Sequence, residues 1–254
     1  MFEFIDYIFD DKPINKLVKI KTKKEIISAK RKCLILETHS DDSCISASGF
    51  LQKYSHKYDY YFALMVASDV KMNAINRLVT REERLEEYQN YVDYFKGTWV
   101  KNELIPFDAD TKLNLIPTGE LVKSIENALN YVKPDLMLVT GPSVHQDHTA
   151  TYRAALSALR PCGTWCPPRV YVMENSTALR LDPQQVQLVP NVYCGLTEEQ
   201  LDSKMRLFYD IFPSQRRPNS TLLSNEGIKQ FAQYRGLECR RKYAEAFYQL
   251  QSVI

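Results

Sequence analysis

The sequence predicts a single α/β domain built on a mostly parallel sheet with helices on both faces. Three observations carry that prediction. Short apolar or β-branched runs alternate with segments whose apolar residues step by three or four. Such alternation is what crossover connections between parallel strands produce. Two acidic histidine clusters, His39-Ser40-Asp41-Asp42 and His145-Gln146-Asp147-His148, each follow a strand-like run and precede a helix-like one. An open, Rossmann-like sheet places its chemistry at such points, in the crevice beyond the carboxyl ends of its strands.

Taken in order, residues 33–36 form a short apolar strand, and residues 43–55 carry Ile45, Phe50, Leu51 and Tyr54 at mostly helical spacing. Residues 60–66 are aromatic and β-branched enough for a second strand. Residues 80–95 read as a long amphipathic helix with Leu85, Tyr88, Val92 and Phe95 on one face. A third strand is expected over residues 100–107, closed by Pro106. A helix follows over residues 118–132 and Pro134 stops it, ahead of a fourth strand at 136–139. Residues 149–159 are alanine-rich and helical, 170–173 are a fifth strand, and 188–193 are a candidate sixth. Helices at 198–211 and 226–232 precede a last segment, helix or strand, at 243–250. With strand order 3-2-1-4-5, the first and fourth strands flank the switch point, and both histidine clusters face one crevice.

Composition bounds the function. At 254 residues and 44% hydrophobic, the chain can bury a substantial core. Its 33 basic and 31 acidic residues give a net charge of +2, which offers no electrostatic case for nucleic acid. No apolar stretch approaches the roughly 20 residues a membrane span needs, and the first residues do not read as a signal peptide. Six irregularly spaced cysteines, Cys162 and Cys166 included, suggest reduced thiols and a cytoplasmic protein. Residues 1–30 read as an N-terminal extension before a domain over 31–254, and a homo-oligomer is compatible with the sequence.

The clusters hold three of the four histidines. Zinc in hydrolases is commonly held by imidazoles and a carboxylate, with one position left for water. His39, Asp42 and His148 can supply that set, and a bound ion lowers the pKa of its water from 15.7 to about 7. Asp41, beside a ligand but pointing elsewhere, is the candidate general base. His145, one helical turn before His148, is the candidate donor to a developing oxyanion or leaving amine. Either aspartate alone, or Thr149, would more ordinarily cap a helix. The pairing of the two clusters argues for chemistry.

These motifs resemble the LmbE/PIG-L family of zinc-dependent N-deacetylases. Thr38-His39-Ser40-Asp41-Asp42-Ser43 aligns with the family's (P/A)-H-P-D-D-E signature, and His145-Gln146-Asp147-His148 with its H-x-D-H. Arg84-x-x-Glu87 resembles its R-x-x-E helix and Asp110-Thr111-Lys112-Leu113 its D-x-x-L loop. Ser214-Gln215, Arg235-Gly236 and Tyr243–Phe247 resemble its close, so the likeness spans roughly residues 31–250. It implies zinc, or iron or another divalent metal, on His39, Asp42 and His148, with Asp41 as base and His145 at the transition state. Arg84 and Asp110 would contact the sugar, and Asp147 would support the ligands from behind. Ser40 and Ser43 depart from the signature's proline and glutamate. The implied reaction is removal of an N-acetyl group from an amino sugar. Rivals are another metal-water reaction such as a hydration, a silent carbohydrate-binding protein, and a nucleotide binder. Against the last, no glycine-rich phosphate loop follows the first strand.

Overall fold

In the computed structural model, residues 30–72, 75–174, 188–218 and 221–253 are described. The expected extension lies almost wholly outside them. Seven strands form the main sheet: β1 (Arg31–Glu37), β2 (Tyr58–Leu64), β5 (Thr98–Trp99), β6 (Leu136–Thr140), β7 (Arg169–Met173), β8 (Val192–Leu196) and β9 (Tyr243–Ser252). Their spatial order is β5-β2-β1-β6-β7-β9-β8. β1 pairs in parallel with both β2 (Ile35↔Phe62) and β6 (Ile35↔Leu138), and within the main sheet, among the described residues, only β9 runs against its neighbours. The predicted order 3-2-1-4-5 is therefore present, with the switch point between β1 and β6.

Strand alternation builds two cores. Cys33 and Ile35 of β1, with Leu136 and Leu138 of β6, face α1 (Asp42–Lys53), α2 (Arg81–Tyr94), α5 (Glu198–Ile211) and α6 (Asn225–Glu238). Leu34 and Leu36, with Met137 and Val139, face α3 (Thr118–Val132) and α4 (Gln146–Ala158). The result is three layers, helix on sheet on helix. Among the described residues no helix is long and apolar enough to cross a membrane.

Several elements differ from the expectation. The third strand is not residues 100–107 but Thr98–Trp99. After Val100 donates to the Phe62 carbonyl, the Asn102 carboxamide oxygen accepts the amides of Leu104 and Ile105 and bends the chain away. Phe107 returns to bridge Val66. The sixth strand lies further on than 188–193, because Pro190 cannot donate to a ladder and pairing continues until Thr197 caps α5. The closing segment is a strand, β9. A short hairpin, β3 (Val70–Met72) with β4 (Arg77–Val79), was not foreseen.

One buried ion pair locks α1 into the fold. Glu245 of β9 accepts the amides of Gly49 at 2.9 Å and Phe50 at 2.6 Å, and the Lys204 ammonium of α5 at 2.5 Å. Lys204→Met would leave that carboxylate buried without its cation. A loss of about 3 kcal/mol is expected, at the low end for a broken buried pair because two amides still hold the anion. Urea unfolding measures it, and a change below about 1 kcal/mol would show the pair to be incidental.

Candidate active site

The carboxyl ends of β1 and β6 are tied across the switch point. Thr140, last residue of β6, places Oγ1 3.2 Å from the Leu36 carbonyl and 3.3 Å from Oδ2 of Asp42. That same oxygen of Asp42 accepts the amides of Thr38 at 3.1 Å and His39 at 2.9 Å. The carboxylate thus folds the loop back on itself and leaves Oδ1 aimed at Nε2 of His148, 3.3 Å away. Burial works against the Asp42 charge, but His148, His39 and the amides outweigh it and hold the group well below the ordinary carboxylate range.

His148 arrives from the first turn of α4. Its Nδ1 is 2.8 Å from the Ser143 hydroxyl, which also accepts the His145 amide at 3.0 Å. Its Nε2 lies 2.9 Å from Nδ1 of His39. Two imidazole lone pairs at that separation repel unless a proton or a cation lies between them. Ligand atoms about 2.0–2.1 Å from a tetrahedral ion stand about 3.3–3.4 Å apart, so small adjustments would seat one. His39, Asp42 and His148 each offer a donor atom within 4.8 Å of the others. The set fits a divalent metal.

Behind it, fully buried Asp147 accepts the amides of Thr111 at 2.7 Å and Leu113 at 3.0 Å. Its Oδ2 is 3.4 Å from Nε2 of His39, longer than a good hydrogen bond. Burial disfavours charge on His39, but Asp147, Asp42 and Asp110 prevail and raise its pKa. His145 is the N-cap of α4, so the helix starts a turn earlier than expected and Thr149 is not its cap. The His145 ring packs 4.8 Å from that of His39 and 5.3 Å from that of His148. Burial first, and then these two rings, lower its pKa.

Asp41 sits at the N-cap of α1, yet its side chain caps no helical amide. It lines the cleft, and burial, with the Asp42 charge added, pushes its pKa up. Arg84 does not pair with Glu87. Its Nη1 binds Oδ2 of Asp110, whereas Glu87 accepts the amide and hydroxyl of Ser214 at 2.9 and 2.6 Å. Asp69 is exposed and accepts the Arg81 amide at 2.7 Å.

All seven predicted cleft residues, His39, Asp41, Asp42, Arg84, Asp110, His145 and His148, line one cleft of about 450 Å³. Its outer wall comes from Val70 and Met72 of the hairpin and from Gln215, Arg217 and Leu223. A second groove of about 440 Å³ shares Val144 and Gln146 with it and continues past Asn114 and Arg153. Sequence reasoning missed Thr140, Ser143, Arg217 and Glu37, and gave Gln215 no place in the cleft beyond the resemblance of Ser214-Gln215. Ser143 is two residues before His145, a spacing that a reader of β6 could have used. Glu37 carries a visible signal, an acidic residue ending an apolar strand. Its oxygens accept the Ser43 amide at 2.9 Å and the Tyr88 hydroxyl at 2.7 Å, and burial pushes it up to about 8. Ser43, where the family signature has glutamate, bonds Tyr91 at 3.0 Å.

Comparison with known proteins bears on the family and the fold. The profile of the PIG-L family, GlcNAc-PI de-N-acetylase, matches residues 34–159. No curated protein sequence matches significantly. Among solved structures, N,N'-diacetylchitobiose deacetylase from Pyrococcus horikoshii is similar at TM-score 0.64 and 16% identity, over 87% of this chain and 84% of that one. The zinc-inhibited form of teicoplanin deacetylase Orf2 is similar at 0.61 and 15%, over 86% and 97%. GalB, the 4-carboxy-2-hydroxymuconate hydratase from Pseudomonas putida KT2440, is similar at 0.62 and 16%, over 88% and 98%. At these identities the likeness is one of fold. Residues 34–159 are a domain of the PIG-L, LmbE-like family.

Proposed function

We propose that the protein is a zinc-dependent hydrolase that removes the N-acetyl group from an amino sugar or its conjugate, releasing acetate and a free amine. The observation that carries this reading is the convergence of His39, Asp42 and His148 at the switch point, with Asp41 beside them and committed to no cap. Zinc, when bound, supplies a Lewis acid for the acetyl carbonyl and lowers the pKa of a water.

The remaining work falls to the chain. With Nε2 of His148 turned to the ion, Nδ1 carries the proton and donates to Ser143, which fixes the ring. Asp147 plays the same part for His39. Asp41 takes the proton of the attacking water and returns it to the departing nitrogen. His145 donates to the oxyanion as charge develops there. Arg84, held by Asp110, presents a guanidinium to sugar hydroxyls. The adjoining groove suits an acceptor larger than one sugar.

The fold that carries GalB makes hydration the second reading. Acetate release from a panel of N-acetyl monosaccharides, N,N'-diacetylchitobiose and glycosidic conjugates separates the two. Zinc-dependent acetate release is expected from at least one member. Hydration of an unsaturated carboxylic acid by the zinc-loaded protein, with no acetate from any N-acetyl sugar, would replace the deacetylase reading.

A further inference from the structure

An aspartate at an N-cap ordinarily turns its carboxylate onto the amide of the second or third helical residue. Asp41, at the N-cap of α1, does not. Its backbone is in the helical region, φ −104° and ψ −5°, rather than the extended form a capping residue adopts, and one of the amides it would serve, that of Ser43, is taken by another acceptor. Asp42 donates to the His39 carbonyl at 3.3 Å, and Ser43, the second helical residue, donates to Oε1 of Glu37 at 2.9 Å. Glu37 reaches that amide from the last position of β1. It is completely buried, and its other oxygen accepts from the Tyr88 hydroxyl of α2 at 2.7 Å, which fixes the rotation of the carboxyl.

We propose that Glu37 is a positioning residue that caps α1 from the strand and so keeps the Asp41 carboxylate turned into the cleft. Two acceptors compete for one buried amide. The strand-borne one has the shorter argument to win, because its own site is closed by Tyr88 and it has no water to return to. Without it, the Ser43 amide is orphaned, and Asp41, two residues before it at the N-cap, is the carboxylate that can take it once its backbone leaves φ −104°, ψ −5° for the extended form of a capping residue. A carboxylate drawn onto the helix end can no longer serve the cleft. The catalytic consequence rests on Asp41 being the base, as proposed above.

Glu37→Met removes the acceptor at nearly constant size. In its crystal structure the Asp41 carboxylate is expected on the Ser43 amide. Its zinc content should be unchanged, with kcat lower by about tenfold or more and KM within about threefold. Glu37→Gln keeps an oxygen for Ser43 and should restore both the orientation and most of kcat. If the methionine variant fails to fold, Glu37→Asp, which withdraws the carboxyl by one methylene, is expected to show the same rotation. Asp41 still facing the cleft in the altered protein, or glutamine failing to restore its orientation, would overturn the proposal. Rotation with undiminished turnover would instead remove Asp41 as base and leave the positioning role intact.

Discussion

Asp41→Asn is expected to retain stoichiometric zinc while kcat falls by about 10²–10⁴-fold, the usual worth of a positioned general base. The carboxylate belongs to the cleft wall and takes no part in the converging set of His39, Asp42 and His148. Asparagine preserves its size and removes only the capacity to take a proton. Burial and the adjacent Asp42 charge raise the Asp41 pKa, which makes it a stronger base than a free aspartate. The neutral amide escapes the same desolvation, so the variant should melt no lower than the parent. Turnover within about tenfold of the parent, at full zinc occupancy, would remove Asp41 from the reaction.

His148→Ala is expected to abolish stable zinc retention and, with it, activity. His148 supplies the nitrogen that faces both Nδ1 of His39 at 2.9 Å and Oδ1 of Asp42 at 3.3 Å. Loss of an outer partner of a metal ligand costs about 10–100-fold in affinity, so loss of the ligand itself should cost more. Dialysis followed by elemental analysis reads the occupancy directly. Added zinc should raise the melting temperature of the parent, since the ion binds the folded chain, and should do so much less in the variant. A variant that holds one zinc per chain after dialysis would sink the assignment of His148.

The legible part of this protein was the part written in long periodic segments and in rare residue types. Strands β1 and β6 are uninterrupted apolar runs, α3 and α5 carry clean helical faces, and three histidines in two clusters point to one place. The switch point then follows from topology. What escaped was set by contacts that local sequence does not announce. Val70–Met72 is too short to show a period, yet it pairs with Arg77–Val79. Residues 100–107 look like a strand until the Asn102 side chain captures two amides. Thr149 is the better cap by propensity, but the Ser143 hydroxyl draws the His145 amide and α4 begins there. Arg84 and Glu87 have the spacing of a pair, and each found a partner from elsewhere in the chain.

The two walls of the cleft have separate origins. One consists of loops that leave the main sheet and cannot shift without disturbing its strands. The other is a separate two-stranded hairpin together with Gln215, Arg217 and Leu223, and its Val70, Met72 and Leu223 are apolar side chains outside the converging set of His39, Asp42 and His148. On the proposed function, preference for one acceptor over another can therefore be rewritten on that side, by exchange of a few apolar side chains, while the converging imidazoles and carboxylates opposite are inherited unchanged.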